Sequence, residues 1–376
     1  MRFDVGGYVT LSVHDTDARI TRSIRAQLDP YESDADEGRA SDVVLEADDS
    51  GVRREFRDIL NPAGDGTVTA SDGESHYLLF ARRSCTLAEP WRRLPAHYRY
   101  EPGFPVSRLM RSVVRPALQV AVLERDAVAV HSTAVEIDGR AILVGGWSES
   151  GKTETALSFV EDGARFVSDK WTIVGRDGAV AAFPISVGVR RWVLRYLPTL
   201  RAALPARVRA QLLVAGAVAA GSRPLVETRS RRTLPTLAAK TLGRAVVLAD
   251  RASLRPSEIM RAYGHVGGGP LARDSLAAVA LLTTVAGDEV RIEGADPVWA
   301  ARRLARSAAF ERRAFLALDQ RARFAFPDRE ASAAHTIEAR EESLLTELLG
   351  RIEVFDVRAP FPTDPRRVRD AIASRL

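Results

Sequence analysis

The sequence predicts an α/β protein in which a domain with a mixed sheet follows a smaller β-rich domain. A glycine-rich segment lies between a short apolar run and a helix-like run near residue 150, and helix-like and strand-like runs alternate from there to the C-terminus. The earlier part of the chain instead contains short β-branched runs separated by turn residues. Because Pro102-Gly103 and Pro105 mark a break between these patterns, we assign residues 1–104 to the β-rich domain and residues 105–376 to the larger one.

The composition is that of a soluble globular protein, with 376 residues of which 46% are hydrophobic. The longest apolar runs are too short to span a membrane, and the N-terminus lacks the apolar run of a signal peptide. The single cysteine, Cys85, leaves no partner for an intramolecular disulfide. We therefore expect a cytoplasmic protein without a membrane partner.

The identity of the basic residues says more about function than their number does. The formal net charge of +5 is modest and spread along the chain, so we expect no nucleic-acid partner. Of the 54 basic residues only Lys152, Lys170 and Lys240 are lysines. A lysine offers phosphate a compact point charge that the planar fork of arginine does not reproduce, which gives Lys152 a chemical reason to be lysine. For Lys170, chance placement stays open as the alternative.

The β-rich segment shows no pattern typical of catalysis. Strand-like runs at residues 8–13, 43–46 and 77–80 are separated by turn signals such as Ser71-Asp72-Gly73-Glu74. Its histidines have no spacing typical of metal ligands. We expect a regulatory, dimerising or substrate-docking role, so homo-oligomer formation stays open.

In the larger domain, a helix at residues 107–125 is predicted to precede a β-hairpin whose arms, residues 128–137 and 141–144, flank Asp138-Gly139. A helix beginning at Lys152 is followed by a short strand that ends before Asp169. Because a strand–helix–strand unit closes right-handed, this strand should run parallel to residues 141–144 and bring Asp169 to the glycine-rich segment. The remaining predicted elements are a strand-like run at 183–192, helices at 196–240 and from Asp274, a strand at 290–292, a helix at 297–308, a strand at 352–357 and a helix at 364–374.

The glycine-rich segment carries the most specific pattern in the chain. Gly146, Gly151, Lys152 and Thr153 satisfy G-x-x-x-x-G-K-[ST], in which backbone N–H groups and a helix N-terminus surround phosphate oxygens. In this pattern the lysine reaches the β- and γ-phosphates and the hydroxyl residue holds Mg²⁺. We call residues 146–153 the glycine loop. The residues expected to bind the nucleotide are Gly146, Trp147, Ser148, Glu149, Ser150, Gly151, Lys152, Thr153 and Glu154.

Two further residue types suit phosphoryl transfer. Asp169 would bind Mg²⁺ together with Thr153, or accept a proton from an attacking hydroxyl, with a capping aspartate as the alternative. Arg190 or Arg191 would neutralise charge on the transferred group, with a solvated surface arginine as the equally weighted alternative.

Residues 131–174 resemble the catalytic domain of HPr kinase/phosphorylase and the wider group of HPr-kinase-like serine kinases, which share a phosphoenolpyruvate-carboxykinase-like P-loop core. The resemblance rests on His131, the Val-Glu-Ile-Asp-Gly hairpin, the glycine loop with the Glu-Thr-Ala-Leu that follows Thr153, and the strand ending at Asp169. It implies phosphorylation of a hydroxyl, usually serine, by ATP and Mg²⁺. His131, Lys152, Thr153 and Glu154 would then surround the phosphates and metal. Asp169 would match the first of the family's paired aspartates.

The sequence departs from this family at two places. Lys170 stands where the family has its second aspartate, and residues 1–104 do not resemble the N-terminal segment of HPr kinases, so HPr is not implied as the substrate. If the side chains of Lys170 and Asp169 approach each other, the ammonium should lower the pKa of Asp169 and favour the forward reaction.

The first hypothesis is therefore a kinase that uses ATP and Mg²⁺ to phosphorylate a hydroxyl on a peptide, protein or small molecule. Its expected catalytic residues are Asp169, Lys152, His131, Lys170 and Arg190, and its expected metal ligands are Thr153 and Asp169. The alternative is an ATP-sensing regulatory protein that transfers nothing, and the loss of the paired aspartate motivates it. A carboxykinase-like enzyme is a weaker option because the expected cluster of metal-ligating histidine and lysine residues is missing.

Overall fold

The computed structural model describes residues 1–14, 18–28, 31–33, 40–50, 54–60, 68–80, 83–87, 95–214, 251–265, 271, 273–329 and 333–376. Within these ranges the chain forms a mixed α/β fold with four sheets, two of which combine parallel and antiparallel strands. The predicted α/β class is thus confirmed. The strands are β1 (Arg2–Val5), β2 (Val9–His14), β3 (Val43–Ala47), β4 (Asp58–Leu60), β5 (Val68–Ser71), β6 (His76–Phe80), β7 (Arg83–Leu87), β8 (Ala96–Tyr100), β9 (Ala127–Val130), β10 (Ser132–Ile137), β11 (Arg140–Gly146), β12 (Arg165–Ser168), β13 (Thr172–Gly175), β14 (Val180–Ala182), β15 (Val187–Arg190), β16 (Arg251–Leu254), β17 (Leu276–Thr284), β18 (Arg291–Gly294) and β19 (Glu353–Ala359).

The helices lie mostly in the second half of the chain. Among the described residues, none is both long and apolar enough to cross a membrane. The helical stretch predicted at residues 196–240 is described only as far as residue 214, and residues 206–214 are helical. The helices are α1 (Ala18–Leu28), α2 (Val106–Leu109), a π-helical turn (Met110–Val114), α3 (Arg115–Leu123), α4 (Lys152–Glu161), a 3₁₀ helix (Arg191–Tyr196), α5 (Pro198–Ala203), α6 (Pro256–Ala262), α7 (Pro297–Glu311), α8 (Arg313–Ala325), a 3₁₀ helix (Ala333–Thr336), α9 (Ile337–Leu349) and α10 (Pro365–Ala373).

The N-terminal segment forms an eight-stranded sheet in the order β1-β2-β3-β8-β7-β6-β5-β4. Strand β3 is parallel to both β2 and β8, and the other pairs are antiparallel. The predicted strands at 8–13, 43–46 and 77–80 correspond to β2, β3 and β6. The sheet is not isolated, because Phe3 and Tyr98 belong to one buried cluster with Met110, Leu118 and Leu304 of the helices. The domain division near residue 104 stays a prediction.

A six-stranded sheet in the order β12-β10-β11-β17-β19-β18 lies at the centre of the second half. The predicted hairpin is confirmed, since β10 and β11 pair antiparallel across Asp138 and Gly139, whose φ values of 49° and 79° suit a type I′ turn. Strands β11 and β12 are both antiparallel to β10 and therefore run in the same direction. The expected direction of β12 is right, but β10 separates it from β11.

Two predicted elements differ in the structure. The strand expected at residues 128–137 divides at His131, so that β9 joins a three-stranded sheet with β13 and β14 while β10 stays in the central sheet. The helix expected from Asp274 is instead β17, which pairs parallel with both β11 and β19. A strand buried on both faces is a continuous apolar run, and periodicity alone does not distinguish such a run from a buried helix.

A buried ion pair joins the helices behind the central sheet. Arg312, between α7 and α8, donates to the carboxylate of Glu341 on α9, and both side chains are almost fully buried. The guanidinium also lies 5.7 Å from the centre of the Trp171 ring. Burial raises the pKa of Glu341, whereas the charge and hydrogen bond of Arg312 lower it. Each charge is therefore tolerated in the core only because the other is present.

We expect Glu341→Gln to lower the free energy of unfolding by about 3–5 kcal/mol, because it leaves the guanidinium of Arg312 buried without a counter-ion. Urea unfolding provides the measurement. The matched control is Glu342→Gln, which removes the adjacent, half-exposed carboxylate that pairs with Arg302 at 3.1 Å and should cost at most about 1 kcal/mol. Equal losses in the two variants would contradict the assigned role of the buried pair.

Candidate functional site

A cleft of about 440 Å³ lies where β11 passes through the glycine loop into α4. Polar and charged groups dominate its lining, so it suits a charged ligand better than an apolar one. Gly146 and Trp147 lie at the start of the loop and are outside the lining. The predicted site residues that line the cleft are His131, Ser148, Glu149, Ser150, Gly151, Lys152, Thr153, Glu154, Asp169, Lys170 and Arg190.

The glycine loop has a backbone that requires its glycines. Gly146 has φ 142°, and a Cβ there would lie 2.6 Å from the carbonyl oxygen of Leu282. Gly151, at the N-cap of α4, has φ 94°, and a Cβ would lie 3.2 Å from the Phe361 ring. Between them, Glu149 adopts φ 64° without being glycine, and such conformations cluster at ligand-binding loops. The Oγ of Ser150 is buried without a hydrogen-bond partner, which fits a hydroxyl that awaits a ligand oxygen.

Lys152 begins α4 and folds back over the loop. Its ammonium donates to the carbonyl oxygens of Gly146 at 3.0 Å and Trp147 at 2.6 Å. Burial lowers the pKa of Lys152 to about 8, while Asp169 and other nearby carboxylates act in the opposite direction. The ammonium is thus a buried cation held by backbone dipoles, and an anionic ligand would stabilise its charged form.

Thr153 and Asp169 come from different elements and meet in the cleft. The Thr153 hydroxyl donates to Oδ1 of Asp169 at 2.7 Å. Burial raises the pKa of Asp169, whereas this hydrogen bond and the charge of Lys152 lower it. One hydroxyl and one carboxylate are a set of protein ligands that suits Mg²⁺, which takes its other ligands from water and substrate phosphates. The described residues contain no group of three or more histidine, cysteine, aspartate or glutamate side chains that could hold a metal ion.

His131 lies at the break between β9 and β10, and its ring is almost fully buried. Its Nδ1 is 2.8 Å from Oγ of Ser307 on α7. Burial, together with the charges of Lys152, Lys170 and Arg312, lowers the pKa of His131 to about 2. The imidazole is therefore neutral at physiological pH, and it fits a positioning role better than proton donation from an imidazolium.

Lys170 does not act on Asp169 as expected from the sequence. The chain turns at Lys170 with φ 67°, and its ammonium lies 3.6 Å from the carboxylate of Glu311 at the end of α7. Burial has the largest effect on the pKa of Asp169 and raises it. The lowering expected if the two side chains approach each other does not apply, because the ammonium of Lys170 is turned toward Glu311 and desolvation dominates the pKa of Asp169. A raised pKa makes Asp169 a stronger base once it is ionised.

Arg190 reaches the cleft from the end of β15. Its guanidinium pairs with Glu149 of the glycine loop at 2.8 Å and lies 3.8 Å from the carboxylate of Glu154. Glu154 is buried in the first turn of α4, where burial raises its pKa and Arg190 is among the groups that lower it. Arg190 thus ties the loop and helix to the opposite wall, while Arg191 begins a 3₁₀ helix and does not line the cleft.

Sequence reasoning missed several residues of the cleft wall. Arg115, Arg251 and Phe361 line the cleft but come from α3, β16 and the segment after β19. No motif includes them, and the abundance of arginine hides any single one. Their proximity to the glycine loop is visible only in the folded chain.

The side chain of Trp147 lies on the outer side of the glycine loop. It is 49% exposed, and its ring centre lies 4.5 Å from that of Phe310, which is 39% exposed. Only its backbone carbonyl, bound by Lys152, faces the interior of the loop. The structure therefore separates the indole of Trp147 from the residues that line the cleft.

No protein-family model matches this chain, and no curated protein matches it at a significant level.

Proton uptake should accompany the binding of an anionic nucleotide. Lys152 is about half protonated near pH 8, and bound phosphates would favour its ammonium form and raise its pKa. Binding of ADP with Mg²⁺ at about pH 8 should therefore take up about half a proton more than binding at about pH 6.5, where Lys152 is already charged. Titration calorimetry in two buffers of different ionisation enthalpy measures this difference. Equal uptake at both pH values would show that phosphates do not approach Lys152.

Proposed function

We propose that this chain is a kinase that transfers the γ-phosphoryl group of ATP to a hydroxyl in a Mg²⁺-dependent reaction. The observation that carries the proposal is the contact between Thr153 and Asp169 at 2.7 Å, in one cleft with the buried ammonium of Lys152. A cation, a hydroxyl and a carboxylate at a helix N-terminus are the groups that phosphoryl transfer requires. The likeness of residues 131–174 to HPr-kinase-like serine kinases supports the same P-loop core and makes a serine-type hydroxyl the first acceptor to test.

In this proposal the glycine loop and Lys152 hold the phosphates. The backbone N–H groups at the start of α4 would donate to phosphate oxygens. The ammonium of Lys152 would exchange the carbonyl oxygens of Gly146 and Trp147 for oxygens of the β- and γ-phosphates. Thr153 and Asp169 would hold Mg²⁺, which when bound neutralises charge on the phosphates. Arg190 is close enough to the loop to add further positive charge at the transferred group.

In this proposal Asp169 also accepts the proton, at the carboxylate oxygen that does not receive the hydrogen bond of Thr153. As the acceptor oxygen forms its bond to the γ-phosphorus, the bond from that phosphorus to the bridging oxygen of ADP breaks, and the hydroxyl proton passes to the carboxylate of Asp169. Burial raises the pKa of Asp169 and so favours proton acceptance, while the hydrogen bond from Thr153 orients the carboxylate. The products are ADP and a phosphate monoester.

The rival proposal is a regulatory protein that binds ATP and transfers nothing. Lys170 supports this rival, because it stands where the kinase family has a second aspartate, and its ammonium pairs with Glu311. Among the described residues, Asp169 is then the one carboxylate that accepts a hydrogen bond from Thr153. Release of ADP in the presence of serine-type hydroxyl compounds, compared with release in their absence, separates the two. Acceptor-dependent release supports the kinase, and tight ATP binding without any release supports the sensor.

Lys152→Ala should reduce phosphoryl transfer by at least about a hundredfold, because it removes a charge that stabilises the transferred group as electrons move. The variant should stay folded, since the hydrogen bonds that Lys152 makes with the described residues go to two backbone carbonyl oxygens of its own loop. Acceptor-dependent ADP release, with the thermal unfolding midpoint as a check on folding, measures both effects. Near-normal turnover in this variant would exclude the assigned site.

Asp169→Asn should lower kcat by about 10²–10⁴-fold while changing nucleotide affinity by less than about tenfold, because a base acts mainly in the chemical step. The amide keeps the shape of the side chain and can still accept the hydrogen bond of Thr153. Calorimetric titration with ADP and Mg²⁺ beside turnover assays separates the two effects. A collapse of nucleotide binding with unchanged residual turnover would assign Asp169 to ground-state binding alone.

A further inference from the structure

Arg115 is a cation that lines the cleft and that no carboxylate among the described residues compensates. Its Nε is buried without a hydrogen-bond partner, although the side chain lines the same cleft as Lys152 and Asp169. Burial lowers the pKa of Arg115 to about 10, and the charge that adds to this effect is a second cation, Arg111. A guanidinium removed from water costs free energy unless an anion compensates it. The protein supplies no carboxylate to Arg115 among the residues that the structure describes.

The helix is irregular just before Arg115, and this irregularity determines the side of the helix on which the arginine lies. Pro116 has no N–H, so the α-helical hydrogen-bond ladder cannot continue regularly through this point. The preceding turn, Met110–Val114, is π-helical, and the N–H of Arg115 donates to the carbonyl oxygen of Met110. A π-turn rotates the residues after it around the helix axis, and such turns are frequent at functional sites. Arg115 is the first residue after this turn.

A second arginine contributes to the same wall. Arg251 on β16 lies opposite Arg190 on β15 in the antiparallel register, and two like charges in such positions repel each other. Arg190 is compensated by Glu149 and Glu154, whereas the Nε of Arg251 donates to the carbonyl oxygen of Gly188 at 3.3 Å. The carboxylates of the cleft are thus already engaged by Arg190 and Thr153. The charge of Arg251 acts on Glu154 and Asp169, whereas no carboxylate among the described residues compensates Arg115.

We propose that Arg115, assisted by Arg251, binds an anionic group on the phosphate acceptor, so that the acceptor carries both a hydroxyl and a carboxylate or phosphate. The inference rests on the proposed kinase function and names the class of its second substrate. The glycine loop and Lys152 serve the nucleotide phosphates, and Arg115 lies outside this motif but in the same cleft. Oxygens of carboxylate and phosphate both match the paired donors of a guanidinium.

The direct test is calorimetric titration of inorganic phosphate and, separately, acetate into the full chain saturated with ADP and Mg²⁺. Wild-type protein should bind at least one of these anions, and Arg115→Met should weaken that binding by at least about tenfold, as expected for loss of a charged hydrogen bond. The matched control is Arg111→Met, which removes an exposed arginine four positions earlier and should change anion affinity by less than about threefold. The two titrations distinguish a phosphate-bearing from a carboxylate-bearing acceptor.

Thermal unfolding separates anion recognition from a structural role. Without ligand, Arg115→Met should raise the unfolding midpoint, because it replaces a partly buried cation, which no carboxylate among the described residues compensates, by an unbranched apolar side chain. Added phosphate should raise the midpoint of wild-type protein more than that of Arg115→Met. A lowered midpoint in the variant together with unchanged anion affinity would overturn the inference.

The outcomes for the two proposals are distinguishable. If wild-type protein fails to bind ADP with Mg²⁺, the proposed kinase function fails, and with it the assignment of the anion to an acceptor. If ADP binds but neither anion binds in an Arg115-dependent way, this inference alone fails. If Arg115→Met weakens ADP binding and phosphate competes with ADP, Arg115 belongs to the nucleotide site, which also overturns the inference.

Discussion

The buried ammonium of Lys152 is the constraint around which the rest of the site is built. An ammonium removed from water needs oxygen acceptors, and the glycine loop supplies the carbonyl oxygens of Gly146 and Trp147. The loop can turn its carbonyls inward only because Gly146 lacks a Cβ, which would collide with the carbonyl oxygen of Leu282. Even so, burial lowers the pKa of Lys152 to about 8. The site therefore holds a cation whose charge an anionic ligand would stabilise.

The position of the glycine loop depends on how closely α7 packs against β11 of the central sheet. Gly145 precedes the glycine loop on β11, and a Cβ there would lie 2.7 Å from the side chain of Leu304 on α7. Because α7 approaches β11 this closely, Ser307 reaches both the ring of His131 and the carbonyl oxygen of Gly146. The same helix ends at Glu311, which takes the ammonium of Lys170. Helix packing and site geometry are thus coupled.

The charges of the cleft are divided between compensated and uncompensated groups. Arg190 is balanced by Glu149 and Glu154 and stabilises the fold of the loop. Arg115 has no such partner among the described residues, so its burial lowers stability in the ligand-free protein. Sites that bind ligands commonly retain such groups, because the interaction that compensates them comes from the ligand. This contrast separates Arg190, which pairs with carboxylates of the protein, from Arg115, for which we propose an anion of the ligand.

The sequence by itself determined the local elements of the site. The G-x-x-x-x-G-K-[ST] spacing, the Asp138-Gly139 turn and the helix from Lys152 follow from short-range backbone chemistry, and the structure has the turn and the helix where they were expected. Only the tertiary structure decided that the apolar run from Leu276 is a central strand, since its burial on both faces depends on β11 and β19. The pairing of Lys170 with Glu311 is likewise visible only in the tertiary structure. The same holds for the position of Arg115 and Arg251 in the cleft beside the glycine loop. These contacts join residues far apart in the chain, and no local pattern encodes which distant charge or surface a side chain will meet.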